Sequence, residues 1–281
     1  MNLRVLNLGA GVQSTALYLM AIDGELEFDL AIFADTGDEP RSVYDHLAWL
    51  KTLGGPEIIE VTAGNLGENL IKGVASGGYG GRRFASIPTF LAVDGQRGGI
   101  GRRQCTSDFK IAPIEKEIRT RLGAGHGERV PKGNTVVQTF GLSFDEPKRV
   151  SRVRDQFRGS YYKSAEFPLF DWFMTRQDCV AYLKKRVPDR EIPRSACVYC
   201  PYHSDDEWLR IKSDPEAWAR AVEIDNAIRD KTSACTRGMV AEQFLHRSCL
   251  PLVQIDFKPR PPNQTARFEF VDRDCEGMCG L

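Results

Sequence analysis

The sequence predicts an α/β fold in which a doubly wound, mostly parallel sheet precedes a C-terminal helical extension that carries cysteines. Two observations support this prediction. Short apolar or β-branched runs, typical of buried parallel strands, alternate with segments of helical periodicity through residues 1–170. The first of these runs also ends in a glycine-paired turn directly before a helical pattern. In such a fold, ligands bind at the carboxyl ends of the strands.

The individual elements follow from the pattern in chain order. The predicted strands are Leu3–Leu8, Leu30–Ala34, Glu57–Val61 and Thr135–Gly141, and the predicted helices between them are Ser14–Ile22, Ser42–Leu53 and Ile111–Leu122. We assign residues 1–170 to this α/β domain. Residues 73–101 interrupt the alternation with a high density of glycine, which favours either a mobile loop over a site or a disordered surface insertion.

Residues 171–281 form the predicted extension. A helix is expected over Thr175–Arg186, and a second helical region over Asp205–Lys231 is expected to break once at a proline. The proline-bounded loop between them contains Cys197 and Cys200. The chain then becomes rich in proline, and its last residues include two further cysteines, Cys275 and Cys279.

The composition restricts the class of protein. The chain has 38 Lys and Arg against 38 Asp and Glu, so its overall charge does not require a nucleic acid or a membrane as partner. No apolar run is long enough to span a membrane, and the sequence enters a strand where a signal peptide would stand. Eight cysteines without an export signal favour metal binding or redox chemistry over disulfides. We therefore expect a cytoplasmic protein with no membrane partner.

The turn after the first predicted strand is the strongest indication of a ligand. Glycine at this position lets backbone N–H groups approach a phosphate, and the start of the following helix adds favourable partial charge. The alternative is a tight strand–helix connection without a ligand. The candidate phosphate-binding residues of this turn are Gly9, Ala10, Gly11, Gln13, Ser14 and Thr15.

Further candidate ligand contacts follow the second and fourth predicted strands. Phe33, Asp35 and Thr36 stand at the end of the second strand, and Gly141 and Arg149 follow the fourth. Because the carboxyl ends of parallel strands meet at one edge of a sheet, these residues could contact the same ligand. The guanidinium of Arg149 is suited to a phosphate or sulfate group. The alternative is that the polar residues cap helices and the cations form a solvated helix face.

Three cysteines have sequence surroundings that favour metal binding or thiol reactivity. Cys197 and Cys200 have the spacing that zinc sites, iron–sulfur sites and redox pairs use. Cys105 follows Arg102 and Arg103, whose positive charges favour a thiolate. An isolated Cys-x-x-Cys is also typical of half of a structural zinc site.

In this order, the motifs resemble those of the phosphoadenosine-phosphosulfate (PAPS) reductase-like branch of the adenine-nucleotide alpha-hydrolase (PP-loop) superfamily. The resemblance extends over almost the whole chain. Two positions depart from the family pattern: Gln13 stands where the ATP-using members carry aspartate, and Ser143 replaces an arginine of the block that follows the fourth strand. The segments that carry the resemblance are Gly9–Ser14, Asp35–Gly37, Cys105–Pro113, Gly141–Arg149, Pro168–Trp172 and Cys197–Pro201.

The resemblance implies an adenine-nucleotide site and one of two chemistries. In ATP-using members, an acceptor oxygen attacks the α-phosphate, pyrophosphate leaves, and sulfur or nitrogen then displaces AMP. In sulfonucleotide (PAPS/APS) reductases, a cysteine attacks the sulfur of an adenylyl sulfate, and sulfite forms. Gln13 resembles the reductases, whereas Cys105–Thr106 differs from the Cys-Cys pair of their cluster-bearing members. We expect a sulfurtransferase like the DNA phosphorothioation and tRNA thiolation relatives, which have nucleic-acid acceptors.

The resemblance also implies the cofactors and partners. Cys105, Cys197 and Cys200 would hold a [4Fe–4S] cluster with one open iron, and structural zinc is the alternative. ATP or an adenylyl sulfate would be the nucleotide, with Mg²⁺ as a further ligand, and a cysteine desulfurase or thiol carrier would supply sulfur. Cys275 and Cys279 are the candidate catalytic cysteines, and the alternative is that they complete the ligand set of the cluster. A sulfonucleotide reductase and a non-catalytic nucleotide-binding module with structural zinc are the alternative functions.

Overall fold

The computed structural model describes residues 1–75, 82–83 and 86–259. The strands in this part of the chain are β1 (Asn2–Asn7), β2 (Leu30–Asp35), β3 (Glu57–Thr62), β4 (Val74–Ala75), β5 (Arg82–Arg83), β6 (Phe90–Val93), β7 (Gln96–Ile100), β8 (Thr135–Phe140), β9 (Lys163–Glu166) and β10 (Glu242–Phe244). The central sheet has the order β3-β2-β1-β8-β9, and all four of its pairings are parallel. The predicted α/β fold class is therefore confirmed.

Helices connect these strands and form the C-terminal part. They are α1 (Val12–Ile22), α2 (Arg41–Lys51), α3 (Leu66–Lys72), α4 (Ala112–Arg121), α5 (Pro147–Phe157), α6 (Pro168–Asp171), α7 (Arg176–Arg186), α8 (Asp205–Ser213) and α9 (Pro215–Ala227). A π-helical turn, Ser107–Ile111, leads directly into α4. The predicted helical region over Asp205–Lys231 is indeed interrupted at Pro215, where Asp214 caps α9 by accepting hydrogen bonds from two backbone N–H groups.

Apolar side chains cover both faces of the central sheet. Leu6 of β1 belongs to a core cluster with residues of α1, α2 and α7. Leu3 and Val5 belong instead to a second cluster with Ile114 and Ile118 of α4. Because successive strand side chains point to opposite faces, this alternation along β1 places helices on both sides of the sheet. The strand order changes direction at β1, and the candidate phosphate loop lies at that reversal.

The C-terminal part has a core of its own, which also includes residues from earlier in the chain. Trp208 of α8 and Ile224 of α9 are fully buried there, together with Leu66 and Leu70 of α3. Tyr199, from the Cys-x-x-Cys loop, is buried in the same cluster. This packing fixes the cysteine loop against α3, which follows β3 of the central sheet.

Part of the glycine-rich stretch forms regular structure that the sequence pattern did not predict. β6 and β7 form an antiparallel hairpin, and β10 pairs with β6 as the third strand of a small sheet. Asp94 and Gly95 connect the hairpin with φ angles of 50° and 75°, as expected for a two-residue Asp-Gly turn. That dipeptide was the available signal, but the third strand lies far along the chain. β9, a short polar strand at the sheet edge, was also missed.

No helix in the described ranges is both long and apolar enough to cross a membrane.

Candidate functional site

The turn between β1 and α1 has the geometry of an anion site. Gly11 is the N-cap residue of α1 in an extended conformation, and as a glycine it has no side chain that could cap the helix. Ala10 has a φ of 58°, a left-handed conformation that costs an alanine about 1 kcal/mol. Backbone strain of this kind is typical of ligand-binding turns. The N-terminal end of α1 therefore has the backbone geometry and the partial positive charge that favour a negatively charged ligand.

Gln13 joins this turn to the loop that follows β8. Its Nε2 donates hydrogen bonds to Ser143 Oγ at 2.8 Å and to Glu146 Oε2 at 2.5 Å. Glu146 also accepts from the Ser143 backbone N–H and forms an ion pair with Arg149. All of these polar groups except Arg149 are buried. The residue that departs from the family pattern thus holds two candidate ligand-binding loops together through a neutral amide.

Thr15, in the first turn of α1, makes a second polar contact, with His46 and through it with Arg190. His46 Nε2 lies 2.9 Å from Thr15 Oγ1, and Arg190 Nε donates to His46 Nδ1 at 3.4 Å. Because arginine can only donate, Nδ1 accepts, and the neutral imidazole carries its proton on Nε2. Burial, assisted by Arg190, lowers the pKa of His46 to about 4. His46 therefore donates to Thr15 as a neutral ring. Sequence reasoning did not identify it.

The chain makes a tight turn directly after β2, at the edge of the sheet where the candidate site lies. Asp35 accepts hydrogen bonds from the Gly37 backbone N–H and from the Tyr44 hydroxyl, both at 2.8 Å. Burial and the negative charge of Asp35 raise the pKa of Tyr44 well above the usual range, so this tyrosine stays protonated. Phe33 is buried in the apolar cluster that also contains residues of α1. Thr36, the next residue of the turn, reaches the cysteine loop, with Oγ1 3.1 Å from Cys197 Sγ.

Asp38 fixes this turn to the C-terminal part of the protein. Its carboxylate forms an ion pair with Arg220 at 2.9 Å and accepts from the Tyr199 hydroxyl at 2.8 Å and from the Gly67 backbone N–H at 3.0 Å. Its backbone carbonyl accepts from the Val198 N–H at 2.9 Å. The turn after β2 and the Cys-x-x-Cys loop are consequently held together by contacts of both main chain and side chain.

Glu39 and Lys110 form a buried ion pair beside the same cysteine loop. Lys110 Nζ lies 3.1 Å from Glu39 Oε1, and the two side chains are 4% and 0% exposed. Ser195 Oγ donates to the other carboxylate oxygen of Glu39 at 3.5 Å. Neither Glu39 nor Ser195 was among the predicted site residues. The adjacent Asp38 and Glu39 after β2 were a signal for Glu39, but the sequence alone could not show that Lys110 is the cation with which it pairs.

The three predicted metal ligands line one small, partly open cavity. Cys105 arrives on the segment before α4, and Cys197 and Cys200 arrive on the loop before α8. Arg103 and Lys110 contribute the positive charges of this cavity, which we call the cysteine cavity. Its complete lining is Thr36, Leu66, Ile87, Pro88, Arg103, Cys105, Thr106, Lys110, Cys197, Tyr199, Cys200 and Pro201.

The donors in the cysteine cavity fit a thiolate-bound metal group in their chemistry, since cations beside sulfur favour the thiolate that such groups need. In the part of the chain that the structure describes, no three His, Cys, Asp or Glu side chains form a group that could hold a metal ion. The sulfurs thus share a cavity without forming a compact chelate. Cys275 and Cys279 lie outside the described residues.

Substitution of Gly67 tests how closely the Asp38 contacts are packed. A Cβ on this residue would lie 2.7 Å from Asp38 Oδ2 and would also collide with the Arg220 guanidinium. We expect Gly67→Ala to lower the free energy of unfolding by about 1–2 kcal/mol, measured by urea denaturation, despite the better helix propensity of alanine. Gly99→Ala is the matched control, because a Cβ on Gly99 would meet no atom within 4 Å. Equal stability of the two variants would contradict this packing.

The structure brings the predicted residues into two adjoining groups. The phosphate loop and the loop after β8 meet through Gln13, and the turn after β2 meets the cysteine cavity through Thr36. Arg149 lies at the first group but is engaged with Glu146.

A comparison with protein-family models finds no match to this chain, and a comparison with curated proteins finds none either.

Proposed function

We propose that this protein is an adenine-nucleotide-dependent sulfurtransferase that activates an acceptor by adenylation and holds an iron–sulfur cluster in its cysteine cavity. The observation that carries the proposal is the convergence of Cys105, Cys197 and Cys200 on one cavity that Thr36 also lines. Thr36 stands at the carboxyl end of β2, the edge at which parallel α/β sheets bind nucleotides. The candidate cluster ligands therefore lie beside the candidate nucleotide site.

The proposed reaction has two balanced steps. An acceptor oxygen attacks the α-phosphorus of ATP, so that an oxygen–phosphorus bond forms and pyrophosphate leaves with the electrons of the broken bond. A cysteine desulfurase or thiol carrier delivers sulfur as a persulfide, and a thiol reductant supplies the two electrons that release it as hydrosulfide. Hydrosulfide then attacks the activated atom of the acceptor, a bond to sulfur forms, and AMP leaves with the electrons of the broken bond to oxygen. The resemblance noted above makes nucleic acid the expected class of acceptor.

The residues of this chain support particular parts of that reaction. The N-terminal end of α1 would hold the phosphates, and its fixed partial positive charge would stabilise charge that develops there. The buried bridge from Gln13 to Ser143 and Glu146 would keep the loop in place. Arg103 would attract the anionic sulfur into the cysteine cavity, whereas the charge of Lys110 is balanced by Glu39.

Cys105, Cys197 and Cys200 would be the cluster ligands. When bound, a cluster with three protein ligands supplies one open iron that can bind sulfide. The hydroxyl of Thr36, at 3.1 Å from Cys197 Sγ, would donate to that sulfur once it is a thiolate, and hydrogen bonds to ligand sulfurs tune such centres.

Metal analysis of protein prepared without oxygen tests the cluster. We expect iron and acid-labile sulfide in the wild type, and their loss in each of the variants Cys105→Ser, Cys197→Ser and Cys200→Ser. Cys249→Ser is the control, because Cys249 lies beside β6 and does not line the cavity. Zinc without iron after anaerobic reconstitution would contradict the cluster and support the zinc-bearing alternative.

A product assay separates the proposed transfer from the reductase alternative. Release of pyrophosphate from ATP in the presence of an acceptor and sulfide supports the transferase. Formation of sulfite from an adenylyl sulfate, abolished by Cys279→Ser, supports the sulfonucleotide reductase instead. The neutral Gln13 in the phosphate loop is the observation that favours this second candidate, because the loop itself then offers no carboxylate for Mg²⁺.

A further inference from the structure

Exposed aromatic rings surround the loop that leaves the candidate nucleotide site. Phe144, Trp172 and Phe173 are 42%, 45% and 71% exposed. Phe144 contacts both Phe170 and Phe173, with ring centroids 5.5 Å and 5.2 Å apart. We call these four residues the aromatic surface. Rings that bury so little of their area contribute little to the core, so folding alone gives no reason for large aromatic residues here.

The backbone at Phe173 strengthens this argument. Phe173 follows α6 with a φ of 58°, in the left-handed position that usually ends a helix with glycine. The Met174 backbone N–H donates to the Leu169 carbonyl at 2.8 Å, as such a helix end requires. A side chain with Cβ is disfavoured in this conformation. The most exposed ring of the surface therefore occupies a position where glycine would be more stable.

A cationic helix adjoins the aromatic surface. The guanidinium of Arg154, on α5, lies over the rings of Phe167 and Phe170, at 5.3 Å and 5.6 Å from their centroids. The neighbouring carboxylates are engaged: Asp171 pairs with Arg154 and Asp155 pairs with Arg158, Asp145 accepts from a backbone N–H, and Asp178 caps α7. The cations between Pro147 and Arg158 are Lys148, Arg149, Arg152, Arg154 and Arg158. Three of them, Arg149, Arg154 and Arg158, each form an ion pair with a carboxylate.

We propose that the aromatic surface and the exposed side of α5 bind single-stranded nucleic acid. Every base has a face that can stack on an exposed aromatic ring, and arginine and lysine side chains bind the phosphates between bases. A duplex hides its base faces, so the exposed rings fit a single strand better than a double helix. The pairing of flat rings with guanidinium groups distinguishes this surface from an apolar face suited to a protein partner.

The position of the surface gives the bound strand a role. Phe144 follows Ser143 directly in the chain, and Ser143 is bonded to Gln13 of the phosphate loop at 2.8 Å. A strand stacked on Phe144 therefore runs beside the candidate nucleotide site, where the acceptor of the proposed reaction must lie. This role rests on the proposed function, whereas the binding itself does not.

Phe173→Gly is the decisive variant, because loss of the ring should weaken binding while the change of backbone should not lower stability. Removal of the ring should weaken binding of fluorescein-labelled oligothymidine and oligouridine about tenfold, as measured by fluorescence anisotropy. The same change relieves the left-handed strain, so the thermal midpoint should stay the same or rise. Phe173→Tyr should retain binding. Val253→Ala, which truncates another exposed apolar side chain on a different surface, is the control and should change neither quantity.

The cationic helix makes a separate prediction for the same probes. Binding should weaken between about 50 mM and about 200 mM salt, and Lys148→Gln should reduce the salt slope by about one. A matched duplex should bind more weakly than either single strand.

Several outcomes would overturn the inference. Absence of binding by the wild type, tighter binding of the duplex, or unchanged binding by Phe173→Gly would each do so. Dimerisation of the wild type that Phe173→Gly abolishes, measured by sedimentation, would assign the surface to self-association. Oligonucleotide binding by a protein without iron would leave this inference in place and remove the cluster from the proposed function. Iron-loaded protein that binds neither oligonucleotide would do the reverse.

Discussion

Arg220→Met should lower the free energy of unfolding by about 3 kcal/mol, since it leaves the buried carboxylate of Asp38 without its cation. Asp38 is 8% exposed, and its other contacts, from Tyr199 and Gly67, are neutral donors. Loss of one partner of a buried pair costs about 3–5 kcal/mol. We expect a loss at the lower end of this range for Arg220→Met, because a fifth of the Arg220 side chain is exposed to solvent. Methionine retains much of the apolar volume of the arginine stem.

Urea denaturation of the wild type and the variant measures this difference. The matched control is Arg186→Met, which removes an ion pair with Asp23 on the surface. Its effect should be far smaller, because water and salt screen exposed pairs. Similar losses in the two variants would show that burial of Asp38 does not set the strength of the Arg220 contact. The Arg220 variant should also show faster alkylation of Cys197, since Asp38 holds the turn to the cysteine loop.

His46 should make the protein less stable as the pH falls from about 7 to about 5. The folded protein holds the pKa of this ring at about 4, whereas the ordinary value is 6.5. Between these values the unfolded chain binds a proton that the folded protein excludes, so acid favours unfolding. The contribution of this one ring should fall by about 2 kcal/mol between the two pH values.

Comparison of the wild type with His46→Gln isolates that contribution. Glutamine keeps an N–H donor for Thr15 and does not titrate, so the variant should lose about 2 kcal/mol less stability on acidification. Equal pH dependence of the two proteins would contradict the lowered pKa. Nitrogen NMR of the wild-type imidazole provides a direct check, since the Arg190 contact requires the proton on Nε2.

Comparison of the predicted strands with the observed ones shows which structural features can be predicted from the sequence. Four strands of the central sheet were predicted to within one residue at each end: β1, β2, β3 and β8. They consist largely of apolar or β-branched residues, and all but the edge strand β3 lie inside the sheet. The hairpin of β6 and β7 was missed, because β7 contains Gly98 and Gly99 and the hairpin's third strand is β10. A strand with few apolar residues takes its stability from its partners, which periodicity does not report.

The same division holds for the candidate site. Cys197 and Cys200 were identified from their spacing, Cys105 from neighbouring charge and the phosphate loop from its glycines, which are local features. The resemblance joined Cys105 to the other two as a ligand set. His46 was not identified, because an isolated histidine on a helix carries no local signal, and only the packing of α2 against α1 brings it to Thr15. Lys110 was noted near Cys105, but its partner Glu39 lies on a distant segment.

The sequence by itself determined the fold class, the place of the glycine turn between a strand and a helix, and the residue types available for sulfur and phosphate chemistry. Backbone propensity, periodicity and short-range spacing act over a few residues, so a single chain displays them directly. Only the tertiary structure decided that the three cysteines share a cavity, that Gln13 bridges two loops, and that the aromatic rings around Phe144 stay exposed. Those facts depend on contacts between residues far apart in the chain, and packing forms them only when the whole core assembles.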